Sequence, residues 1–318
     1  MRESLFKTNL NTAIHCKKFN VAVGIPAYNE KGRTGRLLYQ LLQQRDVELN
    51  EIIVNTSGST DGTRDEVIST AKRCGALSLV KIIDTNKREG KAAALDAILK
   101  ACNSDIVIFL DADTKLHNGC LKEILKPFID DSVGLVSGNV MPLYTHSDNE
   151  DFFHIVSRFE RQLHHQICID CMLKKEAPKV NGTFFALRKH LVNHLPYNVV
   201  SDDEYFSWYI QRKGYRVVYA PDAVVFTKDP ENCNDYISKR KRIFVGHFLI
   251  KKTTGYIVPT IKFKKVFPHL LKFWIKEKQR IFYLFSMLFL QCISYILAII
   301  DIMTNNIPYC YRVESAKF

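Results

Sequence analysis

The sequence predicts an α/β domain with a mostly parallel central sheet flanked by helices, followed by C-terminal membrane-associated helices. Short runs of β-branched residues alternate with helical patterns through the first half, and polar motifs follow the strands. An uncharged run near the C-terminus indicates the membrane segment. At 318 residues, 47% of them hydrophobic, the chain is long enough for one large domain and an appendage.

The first half is expected to alternate strands with helices. Helices are predicted around residues 37–42, whose leucines share one face, over 63–74, and from about residue 91. Such alternation predicts parallel strands with helices on both faces, and ligands of these sheets gather at the carboxyl ends of the strands. The predicted strands cover residues 21–25, 51–54, 79–83 and 106–110.

The second half is predicted to be mixed. A long helix is expected over residues 150–171, and a second over 203–213, closed by Gly214. Apolar runs of β-branched and aromatic residues predict the strands. These strands cover residues 133–137, 180–187, 217–219 and 223–226.

The net charge of +12 narrows the partners to nucleic acid, an anionic membrane or a phosphorylated substrate. Cys168 and Cys171, among nine scattered cysteines, form one C-x-x-C without a second pair to complete a zinc site. We therefore expect reduced, mostly buried thiols in a cytosolic compartment. Because much of the positive charge lies near the apolar C-terminal run, we expect a membrane partner and no nucleic acid.

The C-terminal segment predicts a membrane anchor. Residues 281–300 carry no charge and, at about 1.5 Å per residue, would cover the roughly 30 Å of bilayer hydrocarbon. Residues 262–280 hold seven Lys or Arg and one acid, a pattern typical of a basic amphipathic helix on an anionic membrane. A buried C-terminal helix and a helix that lies in the membrane interface are the alternatives. The apolar residues at helical spacing among the lysines are Val266, Phe267, Leu270, Leu271 and Trp274.

Asp111 and Asp113 are the most informative residues of the sequence. They follow the predicted strand 106–110 directly, and two ionised carboxylates this close repel and are costly to desolvate unless a cation lies between them. Hard oxygen ligands at such spacing suit Mg²⁺ or Mn²⁺, usually shared with a phosphate. An Asp turn after a strand is the alternative interpretation.

The order of the polar motifs resembles that of family 2 glycosyltransferases. The resemblance covers about residues 20–246 and implies a GT-A fold that transfers a sugar from a nucleotide diphosphate with inversion. The last motif is similar to the Gln-Arg-x-Arg-Trp signature of the membrane-bound branch, which includes cellulose, chitin and hyaluronan synthases. The motifs are Pro26-Ala-Tyr-Asn-Glu30, Gly58-Ser-Thr-Asp-Gly-Thr63, Gly90-Lys91, Asp111-Ala-Asp113, Ser201-Asp202-Asp203, Gly214-Tyr-Arg-Val217, Pro221-Asp-Ala223 and Lys239-Arg-Lys-Arg-Ile243.

The resemblance implies a metal and a donor site. Asp111 and Asp113 would hold Mg²⁺ or Mn²⁺, which neutralises the leaving phosphate, with Asp111 nearer the nucleotide. Lys91 would meet the nucleotide or diphosphate at a helix start, where the dipole favours anions. The alternative for Lys91 is a solvated lysine. The alternative for residues 239–242 is a basic patch that faces lipid. The residues assigned to the donor are Pro26, Ala27, Tyr28, Glu30, Lys91, Asp111, Arg240 and Arg242.

The resemblance also implies a base and an acceptor site. Asp203 matches the base that removes the acceptor hydroxyl proton, and the like charge of Asp202 is expected to raise the pKa of at least one of the two. The alternative is that Asp202 and Asp203 are two acidic residues at the start of a helix, where the helix dipole favours negative charge. Asn181, Gly182 and Phe184 are assigned to the acceptor, with a plain core strand as the alternative for Phe184.

Two departures from the family pattern shape the prediction. The usual acid before Gly-Ser-Thr-Asp is replaced within Asn55-Thr-Ser57, so nucleobase recognition is less defined than phosphate recognition. Ile243 stands where processive synthases have a Trp that supports the acceptor sugar. With one spanning candidate, these departures favour the transfer of one or a few sugars to a lipid-linked or saccharide acceptor.

The sequence thus predicts a metal-dependent glycosyltransferase with a UDP-sugar donor at the cytoplasmic face of the cell membrane, since cationic flanks stay inside. A polyprenyl-phosphate sugar synthase is the alternative within the family. A sugar nucleotidyltransferase and a non-catalytic, membrane-tethered nucleotide-sugar-binding protein are alternatives of other classes. The expected domains are an extension (1–18), a GT-A catalytic domain (19–250), a membrane-surface segment (251–280), a candidate transmembrane helix (281–303) and a tail (304–318).

Overall fold

A central eight-stranded sheet organises the computed structural model, which describes residues 19–143, 152–197, 199–276 and 281–307. Its strands are β1 (Val21–Pro26), β2 (Glu51–Asn55), β3 (Val80–Ile83), β4 (Ile106–Leu110), β5 (Lys115–Leu116), β6 (Val133–Pro142), β7 (Phe184–Arg188) and β8 (Arg216–Thr227). Its α-helices are α1 (Arg33–Gln43), α2 (Thr63–Arg73), α3 (Lys91–Ala101), α4 (Cys120–Leu125), α5 (Phe152–Leu173), α6 (Asp202–Arg212), α7 (Cys233–Thr254), α8 (Phe263–Lys276) and α9 (Ile281–Met303). Short 3-10 turns cover Lys126–Ile129, Lys189–Leu191 and Pro259–Ile261.

The strand order is β3-β2-β1-β4-β7-β6-β8-β5, with four parallel and three antiparallel neighbour pairs. The predicted α/β class with a mostly parallel, helix-flanked sheet is confirmed. The wholly parallel arrangement expected of the first half ends at β4, because β7 inserts antiparallel between β4 and β6. The pairing of β7 with β4 joins segments more than 70 residues apart, which no local pattern reveals.

Both faces of the sheet are buried under different helices. Val23 of β1 packs into a core shared with α1, α2 and α4, whereas Ala22 packs into a second core shared with α3 and α6. Successive strand side chains point to opposite faces, so a strand covered on both sides must be apolar throughout. All five residues of β4 are buried for this reason.

Several predicted strand boundaries are wrong, and the strand expected over residues 133–137 extends to Pro142. The strand expected at residue 180 begins at Phe184, because a turn in which the Phe184 N–H donates to the Asn181 carbonyl at 3.2 Å precedes it. The two strands expected around Pro221 are one strand, β8. Proline is tolerated there because the register with β6 shifts between Ser137 and Asn139, and the Asn139 amide donates to the Pro221 carbonyl at 3.0 Å.

The C-terminal helices form a layer beside the sheet. A small apolar cluster joins Phe159 of α5, Tyr236 of α7 and Met287 of α9, and α9 packs along α7. From Phe282 to Met303, α9 has a mean hydropathy of 2.1 and alone among the described helices is long and apolar enough to cross a membrane. The predicted extension (1–18), four residues of the basic segment (277–280) and most of the tail (308–318) lie outside the described residues.

Candidate active site

The first two motifs of the resemblance, at residues 26–30 and 58–63, lie side by side at the carboxyl ends of β1 and β2. Pro26 ends β1, and the backbone N–H of Ala27 donates to the Asn55 carbonyl at 2.8 Å. The backbone N–H of Glu30 donates to Thr63 Oγ1 at 2.9 Å, across to the start of α2. These bonds hold both loops at the sheet edge where ligands of α/β folds bind.

A carboxylate that the sequence did not single out lies beside these loops. Asp84 follows β3 directly, and its Oδ1 accepts a hydrogen bond from Thr56 Oγ1 at 3.0 Å. It therefore lies next to the segment 55–57, from which the expected acid is missing. Nearby, the Arg88 guanidinium lies 4.0 Å from the centroid of the Tyr28 ring. The position of Asp84 after a strand was the available sequence signal, since Asp111 was identified in the same way.

Lys91 joins the carboxylate after β4 to the helix of the predicted base. Its Nζ lies 2.7 Å from Asp111 Oδ1 and 3.9 Å from Asp202 Oδ2, and it donates to the Gly182 carbonyl at 3.0 Å. Burial disfavours the charged amine, but the two carboxylates outweigh it and raise the pKa of Lys91 above its usual range. The side chain is 35% exposed, so a ligand can reach it. Three segments far apart in sequence meet at this one cation.

The two carboxylates after β4 fit a divalent cation. Burial and the neighbouring charge of Asp111 raise the pKa of Asp113 to about 6, and a cation between the two groups would offset both effects. No group of three or more His, Cys, Asp or Glu side chains converges among the described residues. Mg²⁺ is typically held by one or two carboxylates together with substrate phosphates. The donor set therefore fits a metal that binds with a phosphorylated ligand.

Asp203 is fixed in the first turn of α6 by donors on both of its oxygens. Its Oδ2 accepts from the backbone N–H of Gly182 at 3.1 Å. Its Oδ1 accepts from Ser201 Oγ and from the Glu204 backbone N–H, each at 2.9 Å. A carboxylate that accepts three hydrogen bonds is held in one orientation and favoured in its ionised form.

The two adjacent aspartates have pKa values shifted in opposite directions. Burial raises the pKa of Asp202 to about 6, although Lys91 acts the other way. Burial also opposes ionisation of Asp203, but the charge of Lys179 and the bond from Ser201 hold its pKa below the usual range. Asp203 is therefore an ionised carboxylate at neutral pH, as a general base must be.

Lys179 and Glu204 complete the surroundings of Asp203 and were not predicted from the sequence. The Nζ of Lys179 lies 3.6 Å from Asp203 Oδ2 and 3.3 Å from Glu204 Oε1. Glu204 is fully buried, and this burial raises its pKa to about 8. The acidic run at the start of α6 was a sequence signal for Glu204. No sequence signal marked Lys179, because it lies in a segment without periodicity.

The three predicted acceptor residues differ in accessibility. Asn181 and Gly182 lie in the turn before β7, and a Cβ added to Gly182 would be 3.3 Å from the Asp203 carboxylate. Phe184 is fully buried and packs on Gly138, where an added Cβ would lie 2.1 Å from its ring. The core interpretation therefore holds for Phe184, and the turn at Asn181 and Gly182 remains the part that can face a ligand.

The two arginines of the basic motif point to different neighbours. The positive charge of Arg242 acts on Lys91 and opposes the rise of its pKa. Arg240 is directed towards α5, where its Nε lies 3.5 Å from Glu160 Oε1. Gly246 lets α7 pass close to the start of α6, since an added Cβ would meet that turn at 2.8 Å. Of these two arginines, Arg242 is therefore the one whose charge acts on Lys91.

Comparisons with known proteins identify the family and the fold. The model of the family described as Glycosyl transferase family 2 matches residues 22–195. Poly-beta-1,6-N-acetyl-D-glucosamine synthase of Staphylococcus aureus (strain MSSA476) is 24% identical over 227 residues, which are 69% of this chain and 52% of that protein. The Staphylococcus epidermidis protein of the same name is 24% identical over 259 residues, 78% of this chain and 59% of its own length. The chain thus spans between half and three-fifths of these relatives.

A solved structure shares the fold over nearly the whole chain. The mannosyltransferase from Pyrobaculum calidifontis, in complex with GDP-Man and Mn²⁺, superimposes with a TM-score of 0.68 at 20% identity. The match covers 95% of each chain. At this level of identity the likeness concerns the fold, and it includes the C-terminal helices as well as the sheet.

Proposed function

The chain belongs to glycosyl transferase family 2 and is a glycosyltransferase, and from that premise we propose its reaction. It moves a sugar, with inversion, from a nucleotide diphosphate sugar to a lipid-linked or saccharide acceptor at the membrane. A UDP-linked N-acetylglucosamine is the first donor to test, because the curated relatives are named for poly-N-acetylglucosamine. Ile243, which stands where processive synthases have a Trp that supports the acceptor sugar, favours the addition of one or a few sugars over polymer synthesis.

One observation carries this proposal. The Lys91 ammonium contacts the carboxylate after β4, the turn at Gly182 and the helix of Asp203 at the same time. A cation at a helix start is suited to a diphosphate, and a hydrogen-bonded ionised carboxylate is suited to deprotonating a hydroxyl. Transfer between a phosphorylated donor and a hydroxyl acceptor needs these two groups side by side.

Each residue has one role in the proposed transfer. Asp203 takes the proton of the attacking hydroxyl, while Gly182 and Ser201 hold its oxygens in place. Lys91 and Arg242 bind the diphosphate, which becomes more negative as the sugar departs. Asp111 and Asp113 would hold Mg²⁺ or Mn²⁺, which neutralises part of the leaving charge when bound.

The nucleobase end of the donor is proposed to meet the edge formed by β2 and β3. Tyr28 offers an aromatic face there, under the Arg88 guanidinium. Asp84 offers the carboxylate that the segment 55–57 lacks, and its bond to Thr56 holds it at that edge. This arrangement supports a donor whose base lies on the far side of the site from Asp203.

We further propose that residues 19–250 form the catalytic domain and face the cytoplasm, with residues 251–280 at the membrane surface. The support is the exposed basic character of this segment, in which Lys251, Lys252, Lys262 and Lys264 are all solvent-exposed. Anionic lipid attracts such a segment and keeps it on the cytoplasmic side.

The test is release of nucleoside diphosphate from a panel of UDP- and GDP-sugars, with membranes and Mn²⁺ present. We expect one donor to be hydrolysed or transferred, and Asp203→Asn to remove that turnover while Asp65→Asn, on the exposed side of α2, leaves it unchanged. Donor binding without turnover in any condition would favour the non-catalytic alternative. Consumption of a sugar phosphate with nucleoside triphosphate would instead indicate a nucleotidyltransferase.

A further inference from the structure

We propose that α9 lies in the plane of an anionic membrane surface, docked on the catalytic domain, and does not cross the bilayer. This inference deepens the proposed function, on which it rests for the presence of a membrane, by specifying how the chain meets that membrane. It replaces the spanning arrangement that composition alone predicts for residues 281–303. The observations that carry it are the two unlike faces of α9 and the chemistry of the helix beneath it.

The inner face of α9 is docked along nearly its whole length. The five inner side chains are each at most 9% exposed, and the first and last of them are about 26 Å apart along the helix. Two polar contacts hold this face: Gln291 Nε2 donates to Glu160 Oε1 at 2.9 Å, and Asp301 pairs with Lys241 at 2.8 Å. The inner residues are Leu284, Met287, Ser294, Ala298 and Asp301.

The helix beneath α9 cannot enter hydrocarbon. α7 carries four consecutive cations at residues 239–242, and the charge of its Arg242 acts on the active-site Lys91. A Lys or Arg in the middle of a membrane helix strongly opposes insertion into the bilayer. If α9 crossed the bilayer while docked, it would carry this run of charge with it. It can therefore span only by leaving the catalytic domain, which would part Asp301 from Lys241 of α7 and Gln291 from Glu160 of α5 within the bilayer.

The outer face of α9 is apolar and continuous. Its side chains recur at intervals of three, four or seven residues and are between 47% and 80% exposed. A helix with such a face sinks about 5–10 Å into the boundary between headgroups and acyl chains. Near its start, Phe152 and Phe153 of α5 extend the face into an apolar groove with Phe289. The outer residues are Phe282, Phe285, Phe289, Ile296, Ile300 and Met303.

α8 supplies the electrostatic part of the same surface. Phe267, Leu271 and Ile275 form an exposed stripe at intervals of four residues, and Lys264 and Lys272 are exposed on the same helix. His269 fixes α8 to the domain, 3.0 Å from Asp170 of α5. Lysines near an anionic membrane are attracted by its negative surface potential. This combination of cations with an apolar stripe selects anionic lipid over a second protein as the occupant.

The depth of α9 in reconstituted vesicles tests the proposal. Spin labels are attached in turn through Phe282→Cys, Phe289→Cys, Ile296→Cys and Met303→Cys, in vesicles of mixed phosphatidylglycerol and phosphatidylcholine. Buried cysteines are retained, and the others are replaced by serine. An in-plane helix puts all four labels at one depth, about 5–10 Å below the headgroups. A spanning helix puts the middle labels, each seven residues from an end label, roughly 10 Å deeper than the end labels, and that gradient overturns the proposal.

Sidedness gives a second measurement that does not depend on the depth scale. In intact cells, Asn306→Cys and the control Leu77→Cys on the catalytic domain should both escape an impermeant thiol reagent until lysis. Labelling of Asn306→Cys alone before lysis means that the helix crosses, and overturns the proposal. If the protein does not bind phosphatidylglycerol vesicles and elutes as a dimer, the proposal is also overturned, because a second copy then covers the outer face of α9. Donor turnover, measured on the same samples, reports separately on the proposed reaction.

Discussion

Replacing Lys179 with methionine tests whether this buried cation keeps Asp203 ionised. The substitution removes the charge 3.6 Å from Asp203 Oδ2 and nearly conserves the side-chain volume. Burial then acts against the Asp203 carboxylate without its main counter-charge, so the pKa of Asp203 rises. The acid limb of the pH profile for kcat/KM should move to higher pH, while the rate above the limb returns towards that of the unmodified enzyme.

The geometry sets how far the limb moves. At 3.6 Å and an effective dielectric constant of about 20, the attraction between the two charges is about 5 kcal/mol. The bonds from Gly182 and Ser201 remain and water can enter, so the change in pKa is smaller than this attraction implies. One adjacent opposite charge typically lowers the pKa of a carboxyl group by about 1–3. At a pH on the limb itself, kcat/KM should fall about tenfold for each pH unit by which the limb moves.

The assay is nucleoside diphosphate release between about pH 4 and pH 9, with fold integrity checked by melting at each pH. Lys174→Met, which removes an exposed lysine nearby, is the matched control and should leave the profile unchanged. Lys179→Arg keeps the positive charge, so the acid limb of its pH profile should lie close to that of the unmodified enzyme. A uniform loss of rate with an unmoved limb would refute the reasoning, because Lys179 would then act on something other than the ionisation of Asp203.

Four further outcomes follow from the site and the core. Asp203→Asn should cut turnover by about 10²-fold or more with donor affinity within a few fold, and near-normal turnover would mean that another residue is the base. Asp113→Ala should abolish the Mn²⁺-dependence of donor binding in calorimetry, and unchanged, metal-dependent affinity would contradict the assignment. In the folded state Glu204 keeps a proton that the unfolded chain releases between about pH 4.5 and about pH 8, so the stability of the fold decreases as the pH rises through that window. Glu204→Gln should therefore raise the melting temperature at pH 8 but not at pH 4.5. Gly138→Ala puts a methyl group against the buried Phe184 ring and should lower the free energy of unfolding by about 1–3 kcal/mol in chemical denaturation.

The parts of the fold that could be predicted are those that local patterns encode. β4 has the predicted bounds because a strand covered on both faces must be apolar at every position, and such a run of five residues has few other interpretations. The loops after β1, β2 and β4 could be placed together because parallel strands bring their carboxyl ends to one edge. Helix starts could be predicted too, since α2 and α3 begin at Thr63 and Lys91 as expected.

The parts that could not be predicted depend on contacts between distant segments. β7 is strand-like in sequence, but its antiparallel insertion between β4 and β6 depends on how the chain returns after α5. Lys179 has no neighbour in sequence that marks it, and its role arises only when α6 approaches the turn at Gly182. The pair Arg240 and Arg242 is equivalent as a motif, and only the position of α5 with Glu160 separates the two.

α7 is the element through which the site and the membrane-facing layer act on each other. On one side Arg242 acts on Lys91; on the other, Lys241 pairs with Asp301 of α9 at 2.8 Å. Glu160 adds a second link, because it accepts from Gln291 of α9 and lies 3.5 Å from Arg240. Adjacent residues of one rigid helix cannot move independently, so a displacement of α9 at the bilayer must shift Arg242 relative to Lys91 or break these contacts. Donor affinity should therefore respond to membrane attachment, even though no donor-binding residue proposed for this chain lies on α9.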